Sequence, residues 1–351
     1  MIGLTQIAAW RRKRRENQVE GEKYLTDRNW SEAEKYLTLA LAESRHSSKE
    51  RLDLLLGLTE AQREQGKTAE AAQTTQTAIE LAVSSKNKII EARALDALAD
   101  IQLDQKNYTG VEKTIARIEA LELSMPQPDH KRIAGCARKL AMTFVNSGRP
   151  EEAMKAFERL AQLSEKAFGA EHFETAEVLT ELGERHRKNG DHAEAQRCLQ
   201  KALDIHRTTS GVDSQEATQD LFYLASSLEE SGDVDGAAAQ YERVLAVRER
   251  QIGADREQTA ETQAHLAAIY LRADRTSAAR ELLIHSIGVL GRKKGDERLE
   301  FALETMASVE DELNRPVEAE RWREKAAASL AIRTGVVPEV VVPVKQLPKY
   351  Y

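Results

Sequence analysis

Apolar positions along this chain fall into short stripes of helical spacing, and the stripes come in pairs. Leading stripes include Val19-Gly21-Tyr24, Leu95-Leu98-Ala99, Leu140-Ala141-Phe144, Leu179-Leu182-Gly183 and Leu266-Ala267-Tyr270; trailing ones include Leu37-Ala40, Ile115-Ile118, Phe157-Leu160 and Tyr241-Val244. Two stripes of period near 3.6 with a short turn between them predict an antiparallel helix pair. The pair recurs. A small residue opens each trailing stripe, at Ala33, Ala71, Val111, Ala153, Ala195, Ala237, Ala279 and Ala319, spaced 38 to 42 residues apart. A period in that range marks a repeat architecture. The expected fold class is therefore all-α, a superhelical solenoid of about eight helix pairs over 17–331, each repeat touching only its neighbours.

About five residues before each small residue the pattern breaks for a turn. Glycine stands there in four copies, Gly66, Gly148, Gly190 and Gly232, and Arg28, Lys106, Asp274 and Asn314 stand there in the others. Glycine suits a tight connection because no Cβ forbids left-handed dihedrals. Pro150 and Pro316 follow turns, at helix starts where a missing N–H does no harm. Gly21, Gly183, Ala225 and Ala267 are small enough to let the paired helices approach closely.

The Gly21-x-x-Tyr24 step followed by Ala33, Leu37 and Ala40 resembles the tetratricopeptide repeat, and the resemblance covers roughly 17–331. Copies two and three depart from it, with Thr59 and Gln62 in the small and aromatic positions. Linkers with Gly169, Gly211, Gly253 and Gly295, spaced by 42 and followed by acidic and Thr-Ala positions, look like the kinesin-light-chain type of this repeat. That resemblance implies a non-enzymatic adaptor with a protein partner. Among bacterial members of the type it implies a tubulin-type filament, linked to the membrane. A different reading is a regulatory sensor that binds peptides, its C-terminal tail serving as an intramolecular groove ligand.

In this family the inner surface, carried by the first helix of each pair, takes the partner. The candidate groove residues here are Arg93, Arg138, Lys139, Asn146, Phe222, Tyr223 and His265: a basic step at Arg138/Lys139 and an aromatic patch at Phe222/Tyr223, the residue types that anchor interfaces. The family's asparagine ladder is absent, its positions being Lys139, Glu181, Tyr223, His265 and Thr305. Arg138, Lys139 and Asn146 are a fragment of a carboxylate clamp, but the next repeat supplies glutamates.

Charge adds one feature outside the repeats. The chain carries net −7, with 31% charged and 5% aromatic residues, as a helix-rich soluble protein does. Against that balance stand five adjacent cations, Arg11, Arg12, Lys13, Arg14 and Arg15, just after Ile2, Leu4, Ile7 and Trp10. A basic side chain at an anionic membrane is worth about 1 kcal/mol. The segment 1–16 is thus a candidate for reversible membrane or acidic-partner binding, or a cap on the first repeat. Cations following the apolar run, rather than preceding it, argue against a secretory signal, and the protein is expected in the cytoplasm, peripheral at the inner face of the membrane. Nucleic acid is not an expected partner, since the basic cluster is isolated.

The sequence carries no recognisable catalytic or metal-binding motif. The eight histidines are scattered, His186, His192 and Cys198 fit no zinc spacing, and Cys136 and Cys198 give no disulfide framework. No cofactor and no enzymatic activity are expected. The last stretch, 332–351, alternates valines with Pro338, Pro343 and Pro348, which forbids helix and favours extended chain; it is a candidate for docking on a groove or for self-association.

Overall fold

The computed structural model describes residues 16–42, 47–293 and 295–335. Among these, every regular element is an α-helix. The chain divides into two compact units, 1–170 and 171–351. The first holds α1 (16–26), α2 (Trp30–Leu41), α3 (Ser48–Glu64), α4 (Thr68–Ser84), α5 (Lys88–Asp104), α6 (Tyr108–Leu123), α7 (His130–Asn146) and α8 (Pro150–Phe168). The second holds α9 (Phe173–Lys188), α10 (His192–Thr209), α11 (Gln215–Ser231), α12 (Val234–Gln251), α13 (Glu257–Arg272), α14 (Thr276–Leu290), α15 (Glu297–Glu312) and α16 (Pro316–Thr334). Within each unit the helices pack on their chain neighbours as successive hairpins, as the repeat reading requires.

The turn of every hairpin is built the same way. The backbone N–H four residues before the recurring small residue bonds the carbonyl five residues further back. Asn29 thus donates to Tyr24, Lys67 to Gln62, Asn107 to Gln102, Arg149 to Phe144, Asp191 to His186, Asp233 to Leu228, Arg275 to Tyr270 and Arg315 to Glu310, all at 2.8–2.9 Å. This is the helix-terminating bond that needs one left-handed residue inside it. Gly66, Gly148, Gly190 and Gly232 supply it at φ of 70 to 86°, while Arg28, Lys106, Asp274 and Asn314 adopt φ of 54 to 57° despite their side chains. Asn and Asp tolerate that region better than Arg and Lys do.

Close packing explains the small residues. All eight residues of the recurring series are at most 3% exposed. A Cβ on Gly21 would lie 2.8 Å from Leu37 Cδ2, and one on Gly183 2.7 Å from Leu199 Cγ, inside van der Waals contact. Where copies two and three lack the aromatic residue, and copy two the small one as well, hydrogen bonds tie the helices instead. Thr59 and Thr75 hydroxyls meet at 3.2 Å, and Gln62 and Gln102 accept from Thr74 and Thr114, both at 2.8 Å.

The last helix runs further than the sequence reading placed it. It continues to Thr334, not 331, because Arg333 holds the Glu300 carboxylate at 2.7 Å and Gly335 closes the end at φ 71°. The tail thus starts at 335 rather than 332. Most of it, like the basic segment 1–15, lies outside the described residues.

Candidate functional site

In the second unit, the first helices of the hairpins, α9, α11, α13 and α15, line a trough with two adjoining cavities. The larger, about 650 Å³, has Phe222, Tyr223, His265 and Phe301 along it, with Glu184, Glu229, Glu230 and Glu261 among its polar groups. Its aromatic rings stack in series. His265 lies 4.7 Å from Phe301 and 5.6 Å from both Phe222 and Tyr241, centroid to centroid. Offset and edge-on geometries of this kind are favourable beyond their area burial.

Beneath this row lies a buried polar knot. Tyr241, fully buried on α12, donates to Glu229 Oε2 at 2.8 Å and shares a 2.9 Å contact with Ser226. His265 Nδ1 reaches the same carboxylate at 3.1 Å. Burial pushes the Glu229 pKa up, but the bonds from His265 and Tyr241 and the charge of Arg272 outweigh it and hold the carboxyl below its ordinary range. Burial, with the Glu229 charge, pushes the Tyr241 phenol far above its ordinary value. The ring row therefore rests on a fixed anion.

The second cavity, about 440 Å³, lies between α9, α10 and α11. At its base His206 and Asp220, 1% and 0% exposed, meet at 2.7 Å through Nδ1, and Thr180 donates to the other Asp220 oxygen at 2.5 Å. His206 Nε2 makes no hydrogen bond, with Glu177 Oε1 standing 3.3 Å away. Burial alone disfavours the imidazolium, but the Asp220 bond and charge, with Glu177 and Glu216, win and keep His206 protonated above its usual pH. Glu177 is pushed upward by burial and by the neighbouring carboxylates Asp220, Glu181 and Glu216, against the pull of His206. One repeat later, Arg248 takes the place of His206 and Thr262 that of Asp220, joined at 2.8 Å, with the guanidinium 4.7 Å over Phe222.

The sequence-predicted groove residues fall into both units. In the first, Arg93 is held by Asp53 at 2.8 Å. Lys139 is held by Asp96 at 2.8 Å and Asp100 at 2.7 Å. The expected basic step is thereby corrected at Lys139, whose charge is spent within the fold on carboxylates one repeat back. Arg138 is half-buried beside it, and Asn146 is exposed at the end of α7. In the second unit Tyr223 and His265 line the trough. Phe222 also lines the larger cavity, yet at 7% exposure it is part of the core, packed on Tyr241. Ile2, Leu4, Ile7, Trp10, Arg11, Arg12, Lys13, Arg14 and Arg15 lie outside the described residues.

Sequence reasoning placed Glu229 on the inner face but missed His206, Asp220 and Arg248. Their signal was register: His206 and Arg248 occupy a slot that Leu290 fills in the next copy, so a polar residue there interrupts a buried stripe. Cys136 and Cys198 are buried free thiols, and burial pushes the Cys136 thiol up to about 12. Among the described residues no helix is long and apolar enough to cross a membrane.

Comparison with known proteins bears on this arrangement. Tetratricopeptide repeat profiles match residues 132–208 and 218–291, and a second profile matches 180–254. No curated protein is significantly similar to the chain. Among solved structures, the chain is similar to a signal-transduction ATPase with numerous domains and a tetratricopeptide repeat sensor from Pyrococcus horikoshii, with TM-score 0.61 and 12% identity over 87% of this chain and 46% of that one. It is also similar to the apo quorum sensor NprR from B. thuringiensis, with TM-score 0.51 and 14% identity over 90% and 87% of the two chains. For BtubC (BKLC) from P. vanneervenii the TM-score is 0.46, with 17% identity over 82% and 98%. At these identities the likeness speaks to fold alone. The profile matches identify tetratricopeptide repeats over residues 132–291, and the bond pattern shared by all eight turns repeats the same hairpin through both units, an architecture that serves as a scaffold for protein–protein interaction.

Proposed function

We propose that the chain is a non-enzymatic adaptor whose working surface is the trough of the second unit. The observation that carries this reading is the row His265, Phe301 and Tyr223, half-buried and lined up on three successive first helices. Aromatic side chains held rigid beside open space are the usual anchors of a protein interface. On this reading one arm of the adaptor is the trough and the other is the segment 1–16, which tethers the chain to an anionic membrane surface in the cytoplasm. The linkers at Gly169, Gly211, Gly253 and Gly295, which resemble those of kinesin light chains, support a tubulin-type filament as the assembly served. With Lys139 engaged internally, Arg11 to Arg15 are the better candidates to meet an acidic filament. The test is co-sedimentation of the full chain with tubulin-type filaments at low salt, beside flotation on anionic vesicles with and without residues 1–16. Filament binding together with truncation-sensitive flotation is the expected result; no pelleting and unchanged flotation would remove both arms.

The sensor reading is favoured by one placement. Helix α16 ends where Arg333 backbone atoms lie 3.3 Å from the position a Cβ on Gly295 would take. Glu297 and Arg298, which line the larger cavity, follow two residues later. Helix α16 therefore ends near one end of the trough. Deleting 336–351 is expected to raise the affinity of the trough for added peptides if the tail is its resident ligand, and to leave it unchanged if it is not.

A further inference from the structure

The two cavities share Glu184, Lys188 and Tyr223, so they form one continuous trough with two different ends. At one end the lining is aromatic: His265 and Phe301 stacked at 4.7 Å, with Phe222 edge-on beneath them. At the other end the lining carries five carboxylates, Glu177, Glu181, Glu184, Glu216 and Asp220, beside Arg185, Lys188 and the His206 imidazole. Over the whole trough nine carboxylates line the two cavities against Arg185, Arg187, Lys188, Arg272, Arg298 and two histidines, and not every one of these cations answers a carboxylate of the trough. Arg298 is bound to Asp296 at 2.6 Å and also to Glu257, neither of which lines a cavity. Arg187 bridges Glu184 and Glu230. His206 bonds Asp220 at the base of the pocket and turns its other nitrogen to Glu177 at 3.3 Å. The balance left at the mouth is negative.

We infer that the trough takes an extended cationic segment of a partner protein, seating an apolar side chain on the His265/Phe301 rings and a lysine or arginine at the mouth beside Glu177 and Glu216. This deepens the adaptor reading and rests on it. Charge complementarity selects the occupant: an acidic segment would add like charge to a mouth already in excess, which costs specificity and affinity, while an arginine or lysine supplies the missing counter-charge and lays its apolar stem along Tyr223. A flat aromatic row offers a neighbouring aliphatic or aromatic side chain the contact that charge alone does not give. The trough and the basic segment 1–16 then select opposite partners, cationic at one and anionic at the other.

The test is selection of a phage-displayed library of random 12-residue peptides on the full chain, followed by anisotropy titration of synthetic copies of the recovered peptides. The expected result is enrichment of peptides that combine lysine or arginine with an aliphatic or aromatic residue. Their binding is expected to weaken about tenfold in the E177Q/E216Q double variant, about tenfold in F301A, and steadily as salt is raised, with R93A in the first unit without effect. These exposed or half-exposed substitutions keep the helices, and the circular dichroism melt of each variant verifies it. Enrichment of acidic peptides, or cationic peptides whose affinity ignores E177Q/E216Q, would overturn the inference while leaving a scaffold that binds peptides. Recovery of no binding peptide at all would count against the inference and the adaptor surface together.

Discussion

The two units use one hairpin for different ends. In the first, the faces of α3, α5 and α7 are closed by ion pairs that run from one repeat to the next. Arg63 reaches Asp104 at 3.2 Å, Arg93 reaches Asp53, and Lys139 clamps Asp96 and Asp100. In the second, the equivalent faces carry rings, cavities and buried polar knots. A face whose charges are satisfied internally gives a partner little to bind, whereas rings over a fixed anion leave a surface both rigid and unfilled. The lesson is that repeats equal in backbone divide labour through side chains a few positions apart.

The sharpest way to break the comparison is to empty the knot under the rings. Tyr241→Ala removes a fully buried aromatic and strands Glu229, and a loss of about 4 kcal/mol in urea unfolding is expected. A loss under about 1 kcal/mol would mean the knot does not brace the trough. Next in size is Asp220→Ala, which leaves His206 buried without its counter-charge, at an expected cost of about 3 kcal/mol.

The same pair supplies a pH test. Because His206 is raised above its ordinary value of 6.5, its contribution is fully present below that value and is lost as pH rises through the folded-state value. The urea midpoint of the protein should therefore fall as pH is raised from about 6.5, and His206→Gln should flatten that slope. In the first unit Lys139→Ala should cost about 1 kcal/mol or less, and less again in high salt, since the Asp96 and Asp100 carboxylates are about a third exposed and free to rehydrate. Smallest of all is the signal from thiols: Cys136 and Cys198 should not react with a thiol reagent until the protein unfolds, because burial raises both pKa values and excludes the reagent.

Period, hairpin turns and helix order were legible in the sequence because they follow from spacing. The four non-glycine turn residues show how firmly: Arg28, Lys106, Asp274 and Asn314 were placed by register alone and all adopt positive φ. The site was less legible. Tyr223 and His265 could be assigned to a face from helical position, but whether Phe222 faces out or in depends on Tyr241 and His265, 19 and 43 residues away. Lys139 read as a binding cation because nothing local reveals that Asp96 and Asp100 stand in the preceding repeat. The buried ion pair of His206 was invisible for the same reason, being made across the junction of one hairpin and the next.

The reach of these side-chain bonds bears on how such a chain can diversify. Bonds spanning 12 residues, such as Gln62 with Thr74, Gln102 with Thr114 and Glu229 with Tyr241, close inside a single hairpin. Such a hairpin copied elsewhere by gene duplication brings both halves of its own fastening. Bonds spanning 40 to 43 residues, such as Thr180 with Asp220 and Lys139 with Asp96, join a hairpin to its successor. Those break when repeats are reordered, so lineages carrying them are committed to one sequence of modules and must evolve by altering modules in place.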